Sequence, residues 1–399
     1  MSHGHHDEEV LPLLDTYTPP AADLDRVGRM ALGIGAIFGV ATAVFGYSNP
    51  ARFFQAYLVG YVWVFGVAMG CFGLMALHHL SGGAWGIMIR RILEAATRTI
   101  PALAVGFVPI ALGMGRLYSW SRPEGAFHHG LRAVYLTPKG FVVRAAICFV
   151  LWSTMALVLS RLSLAQDQTG RPSIKRRMQF IAAGGIIVHV LCMTVAAIDW
   201  LMSLSPNWAS TIYGFYVIVG QIVSGLAFII LIALFLVGRQ PLAGRFRPDH
   251  FHDYGKLLLA FIMIWAYFAV SQFLIIWSGN LPEETSWYMG RTLGGWKWFT
   301  LVLVFSHFVL PFVLLLSRNL KRDVGRLAKV AAMMLVVRWL DLYWLVAPAF
   351  SDRVSLRAID VTTPVAIAGI WVFLFTRELK TRSLLPPREP SLKEALGHV

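Results

Sequence analysis

Ionisable side chains inside long apolar runs are the residues of this sequence best suited to chemistry. One run contains His189 and Asp199, and a later run contains RWLDLYW, with Arg338 and Asp341. A charge at the middle of a bilayer costs at least about 2.5 kcal/mol on insertion scales, so each such group needs a partner, a cavity or a function. Histidine and carboxylate at that depth predict either proton transfer or internal pairing.

The positions of these four residues leave both interpretations open. His189 lies near mid-depth, and Asp199 follows ten residues later, which is about 15 Å along a helix. Arg338 and Asp341 are three residues apart and share a helix face. They form either a self-neutralising ion pair or a site at which Asp341 exchanges protons under the control of Arg338.

A second group of protonatable residues follows the second apolar run, in HHLSGGAWGIMIRRILEAATRTIP. His78 and His79 precede a glycine pair that breaks the helix, and residues 84–98 resemble a helix that starts along the membrane surface. Glu94 follows Arg90 by four residues, which predicts an ion pair. The two histidines and Glu94 fit a cytoplasmic proton-uptake site, and the alternative is an ordinary interfacial turn.

Further polar side chains occupy the later apolar runs. His307 precedes Pro311, which favours a helix kink. Its depth matches that of His189, so haem ligation by this pair is an alternative to hydrogen bonding. Other side chains that can hydrogen-bond across helices are Gln221, Ser224 and Gln272. Ordered by depth alone, the predicted proton path is His78, His79, Glu94, His189, Asp199, His307 and Asp341.

The elements that must position these residues are membrane-spanning helices. The chain is 57% hydrophobic and only 14% charged, whereas soluble domains carry about 25% charged residues. A span needs about 20 mostly apolar residues. We therefore predict an all-α membrane protein with ten helices near 27–47, 53–80, 99–118, 140–160, 178–204, 212–237, 255–277, 297–317, 327–347 and 361–377.

The basic residues predict the orientation of these helices. With the N-terminus inside, 24 Lys and Arg residues fall on the cytoplasmic side and 10 outside, and Arg338 lies within a span. This bias places both termini in the cytoplasm. The predicted domains are a polar tail (1–26), the membrane domain (27–377) and a basic tail (378–399). Because the net charge of +14 lies mainly in short loops, we do not expect nucleic acid to bind.

Four long motifs resemble the second polysulfide-reductase-like membrane subunit of alternative complex III. They are HHLSGGAWGIMIRRILEAATRTIP, AAIDWLMSLSPNWASTIYGFY, DYGKLLLAFIMIWAYFAVSQFLIIWSGNLPEE and WKWFTLVLVFSHFVLPFVLLLSR. The resemblance extends from about residue 27 to 380. In the family pattern, Asp199 matches the acid of the DWLMSL motif, and His78 and His79 match the histidine pair. Glu94, His307 and Asp341 lie in matching stretches.

The resemblance implies a subunit of a complex in a bacterial cytoplasmic membrane that oxidises menaquinol or another quinol. The implied fold is ten helices with two four-helix bundles. The implied partners are an iron–sulfur subunit, a multihaem cytochrome c and a homologous membrane subunit, and these carry the clusters and haems. The resemblance implies no metal or redox cofactor on this chain, a part in proton translocation, and a quinone role assigned by analogy.

Two other functions stay open from the sequence. A secondary transporter would have broken helices at corresponding places in two halves. A structural anchor would hold partner subunits without any proton path.

Overall fold

The computed structural model describes residues 17–389 and 391–396, so most of the predicted N-terminal tail lies outside it. Every regular element in these ranges is helical, and ten helices are long and apolar enough to cross a membrane. The predicted fold class is confirmed. The spans are α1 (Ala21–Ser48), α2 (Pro50–Ser81), α3 (Arg90–Leu112), α4 (Pro138–Thr169), α5 (Pro172–Leu204), α6 (Tyr213–Val237), α7 (Pro248–Gly279), α8 (Trp296–Leu316), α9 (Val324–Ala349) and α10 (Ala358–Leu379).

Local signals explain where the helices begin and end. Pro50 opens α2 after Asn49, whose side chain accepts a hydrogen bond from the Arg52 amide at 3.0 Å. The helix ends where Gly82 and Gly83 adopt φ of 67° and 90°, a region that favours glycine. The predicted break is therefore confirmed.

The ten helices form two four-helix bundles and a flanking pair. Helices α2–α5 pack as one bundle and α6–α9 as the other. Helices α1 and α10 pack against each other through Gly35 and Gly369, where an added Cβ would lie within 3.2 Å of the facing backbone. We call the face where α1 begins and α10 ends the terminal face, and the other the opposite face.

Helices α2 and α6 join the bundles by direct backbone contact. A Cβ added to Gly70 would come far inside contact distance of the Gln221 carbonyl oxygen, and one added to Gly225 would lie 2.7 Å from the Gly70 carbonyl carbon. Small residues that let backbones approach are the usual device for packing helices in lipid. The two helices that meet here are also largely enclosed by the other spans.

Two local predictions were wrong. Residues 84–98 are not one helix that starts along the membrane surface: a short helix, Ala84–Ile87, is followed by Arg90–Thr97, which already belongs to span α3 and is buried. The predicted end of the fourth span at residue 160 was also wrong. Helix α4 continues to Thr169 and stops at Gly170, which adopts a left-handed conformation.

Two spans depart from regular α-helix. Helix α3 is divided into Arg90–Thr97, Ile100–Gly106 and Val108–Leu112. Helix α8 contains a π-helical turn at Phe305–Val309, immediately before Pro311. The irregularity predicted near Pro311 is thus a widened turn that contains His307.

The described part of the C-terminal tail packs onto the membrane domain. The Leu384 amide donates to the Tyr17 carbonyl at 2.9 Å, and the His250 ring contacts the Ala395 carbonyl at 3.0 Å. Leu385 is fully buried. This segment therefore belongs to the folded domain instead of forming a separate tail.

The Gly70 contact predicts a specific loss of stability. Gly70→Ala forces a methyl group into the α6 backbone, and overpacking of this kind costs about 1–3 kcal/mol. Unfolding can be followed with a thiol-reactive fluorophore, because Cys71, Cys148 and Cys192 are buried. Gly184→Ala is the control, since a Cβ there meets nothing within 4 Å. Equal melting of the two variants would contradict the proposed contact.

Candidate functional site

A buried charge network lies at the terminal end of the first bundle. Glu94 is its centre and accepts hydrogen bonds from Arg90 Nε at 3.2 Å, Arg91 Nη1 at 2.6 Å and Ser163 Oγ at 2.5 Å. The predicted pairing of Arg90 with Glu94 is confirmed. Arg91 also pairs with Asp167 of α4. Each buried cation here has an anionic partner, which is the condition for burying charge without a severe penalty.

The C-terminal segment completes this network. Glu389 accepts from Arg90 Nη1 at 3.0 Å and from Lys175 Nζ at 2.6 Å. Burial raises the pKa of Glu389, but the Lys175 ammonium and the Arg90 guanidinium outweigh that effect and hold the pKa below its usual value. The segment after α10 is thus fixed by charge as well as by apolar packing.

The two histidines at the end of α2 adjoin this network. His78 and His79 are buried, with ring centroids 5.8 Å apart. His78 Nδ1 and His79 Nε2 have no hydrogen-bond partner among the described residues. Both rings line a cavity of about 30 Å³ with Arg90 and Lys175, which is enough room for a water molecule.

A second pair of polar side chains lies at the seam between the bundles. His189 of α5 packs against Phe72, and its Nε2 lies 3.6 Å from the position of a Cβ on Gly73. Gln221 of α6 contacts the same glycine-rich stretch of α2. Neither ring nitrogen of His189 and neither amide atom of Gln221 has a partner among the described residues. Buried polar atoms are almost always bonded to protein or water, so these positions favour ordered water.

A third group continues from this seam toward the opposite face. Arg338 forms an ion pair with Asp341, as one of the two sequence interpretations predicted. The Tyr216 hydroxyl donates to Asp341 Oδ1 at 2.7 Å. The Arg338 guanidinium fits against Gly220, where no Cβ would be accommodated. Helix α6 thus presents Gly220 to Arg338 on one side and Gln221 to α2 on another.

His307 lies beside this group and not beside His189. The His307 ring stacks on the Trp265 ring, with their centroids 3.6 Å apart. The centroid of the Trp265 ring in turn lies 5.5 Å from that of Tyr216. His189 belongs to the first bundle and His307 to the second, so they do not face each other across a space for haem. That alternative is not supported by the geometry.

Asp199 is separated from the seam. Its carboxylate binds Arg144 Nε at 2.7 Å and Nη2 at 3.0 Å, a bidentate pair at the opposite end of the first bundle. Between the levels of His189 and Asp199 an aromatic cluster packs tightly; its members are Phe65, Phe107, Phe149, Trp152 and Trp200. Asp199 is therefore not continuous with the polar groups of the seam, contrary to the order that depth suggested.

Of the side chains predicted to hydrogen-bond across helices, Gln272 does so and Ser224 does not. Gln272 does bond across elements, accepting from Ser210 at 3.0 Å and donating to Tyr288 at 3.2 Å. The prediction for Ser224 was wrong, because its hydroxyl donates within its own helix to the Gly220 carbonyl at 3.1 Å.

Several partners of the predicted residues were missed. They are Arg91, Arg144, Ser163, Asp167, Lys175, Tyr216, Trp265 and Glu389. The sequence does contain a pattern that predicts Ser163 and Asp167 as partners, because Ser160, Ser163 and Asp167 are spaced so that they share one face of a helix. Placing the end of the span at residue 160 hid this pattern.

Comparison with known proteins identifies no relative. A scan against protein families finds no match to this chain, and a search of curated proteins finds none either. Among the described residues, no three His, Cys, Asp or Glu side chains are grouped as they would be around a metal ion.

The Arg338–Asp341 pair predicts a sharp non-additivity. Its side chains are 2% and 0% exposed, so Arg338→Leu leaves a buried carboxylate unpaired, at a cost of about 3–5 kcal/mol. Adding Asp341→Asn removes that charge and should recover much of the loss, as measured by thermal unfolding. The control is Arg326→Leu, whose pair with Asp323 is exposed and contributes about 0–1 kcal/mol. Equal destabilisation of the single and double variants would contradict the buried pair.

Proposed function

We propose that this chain is a membrane subunit of a quinol-oxidising complex of the alternative complex III type. In it the chain moves protons through the bilayer and holds no redox cofactor of its own. The four long motifs support the type of complex. The observation that carries the proton path is the succession of buried polar atoms without protein partners along α2 and α6.

The proposed path begins at the terminal face, which the charge bias makes cytoplasmic. His78 and His79 adjoin the small polar cavity there, and the Glu94 network surrounds it with paired charges. Glu94 accepts from three donors, so in this path it stays ionised and balances the charges of Arg90 and Arg91 beside the imidazoles. His78 lies five residues beyond Gly73, about 7.5 Å along α2, so the proposed path requires water molecules to bridge that distance.

From the middle of the membrane the path follows α6. His189 lies at Gly73 of α2 and the Gln221 side chain at Gly66, about 10.5 Å apart along that helix, and Arg338 packs on Gly220 and pairs with Asp341. Asp341 and the Tyr216 hydroxyl share a hydrogen bond through which a proton can pass. Asp199 lies outside this route and pairs with Arg144.

The transporter alternative is less well supported. Such folds have interrupted helices at corresponding positions of two halves. Here the interruptions are in α3, the second helix of its bundle, and α8, the third helix of the other. A structural anchor would not require the unpartnered polar atoms of the seam.

Removal of the seam amide tests the path. In the purified complex reconstituted into vesicles, Gln221→Leu should lower the number of protons moved per electron, because an apolar side chain interrupts the water contacts, while quinol oxidation persists. Ser224→Ala is the matched control, since that hydroxyl is bonded within its own helix. An unchanged proton-to-electron ratio in Gln221→Leu would favour a structural anchor instead.

The type of complex has a separate test. Purification from native membranes should bring down iron–sulfur and multihaem subunits, while the isolated chain should show no haem absorbance. Stoichiometric haem on this chain alone, or substrate uptake by it in liposomes, would contradict the proposed function.

A further inference from the structure

A large cavity lies in the second bundle, and its wall shares Tyr216 with the proposed proton path. Its volume is about 580 Å³, within the range of small-molecule sites, and α6 to α9 supply its walls. Helix α7 packs mainly on the second half of α8, so the two helices diverge toward the opposite face. The lining residues Val270 and Leu301 are more than half exposed on the isolated chain, which places the mouth of the cavity between α7 and α8, facing lipid.

One cation at the opposite end of this cavity has no acidic partner. Arg291 is 5% exposed, and its guanidinium donates only to the carbonyls of Trp287 and Leu345, at 2.8 and 3.0 Å. Its Nε has no partner among the described residues. Burial lowers the pKa of Arg291 to about 9. The Trp287 ring at 3.3 Å provides a cation–π contact, which replaces only part of the lost hydration.

A second cation and two tryptophans locate this end of the cavity. Lys297, in the first turn of α8, also lines it, and no carboxylate is among the described lining residues. Trp277 and Trp298 are 67% and 69% exposed near the adjoining ends of α7 and α8. Exposed tryptophan is typical of the headgroup level of a bilayer. The cations thus lie at headgroup depth, and the apolar walls extend into the hydrocarbon.

We propose that this cavity binds one anionic phospholipid, with its phosphate against Arg291 and Lys297 and its acyl chains between α7 and α8. Basic pockets between membrane helices are suited to such headgroups. A neutral quinone would leave both cations without a counter-charge. The Gln272 amide, the other strong donor in the wall, is already bonded to Ser210 and Tyr288. The assignment depends on Arg291 and Lys297 and uses neither Gln221 nor Asp341, although Tyr216 of the proton path lies in the cavity wall.

Native mass spectrometry of the full chain in detergent tests the proposal. The protein is stripped of lipid and then titrated with phosphatidylglycerol, phosphatidylcholine or menaquinone. We expect one phosphatidylglycerol to be retained in preference to the other two. Arg291→Gln should weaken that retention about tenfold, the order expected for one desolvated cation–phosphate contact. Arg116→Gln is the control, because Arg116 is an exposed cation near the same face of the other bundle.

Two further variants keep the test decisive if Arg291→Gln fails to fold. Lys297→Gln changes an exposed side chain and should weaken retention without affecting folding. Ala269→Trp fills the apolar cavity while both cations remain, and should also displace the lipid. Equal binding of the two phospholipids, a preference for menaquinone, or equal losses in the Arg291 and Arg116 variants would overturn the assignment.

Discussion

The backbone contact between α2 and α6 is the interaction on which the rest of the structure depends. Gly70 and Gly225 let the two helices approach until main-chain atoms touch, and this fixes the two bundles relative to each other. The same approach brings His189 and Gln221 against one stretch of α2, although they come from different bundles. A larger residue at Gly70 would separate both the helices and the polar groups between them.

The sequence predicted the features that depend on residues close together in the chain. Hydropathy located ten spans, and separations of three and four residues predicted the Arg338–Asp341 and Arg90–Glu94 pairs. It did not predict the partner of Asp199, because Arg144 is 55 residues away and reaches it only after α4 packs on α5. Long-range pairing depends on helix rotation and depth, which are set by packing that periodicity does not encode.

Ordering the residues of the predicted proton path by depth alone also misplaced one of them. Ranking by position along each helix put Asp199 in sequence with His189, but an aromatic cluster around Phe149 and Trp200 fills the space between their levels. By contrast, neighbouring residues of α6 bring Gly220 against Arg338, the partner of Asp341, and Gln221 against α2. Which polar groups can belong to one path therefore depends on the helices packed beside each residue, and not on depth alone.

The position of Glu389 has a consequence for biosynthesis. Arg90 enters the membrane region with the third helix, whereas the carboxylate that engages its Nη1 belongs to a segment synthesised after all ten helices. Until then the guanidinium relies on Glu94, which it shares with Arg91. Final closure of the first bundle must therefore wait until residue 389 has been synthesised, and a chain truncated shortly before that residue would insert all ten helices yet stay incompletely neutralised.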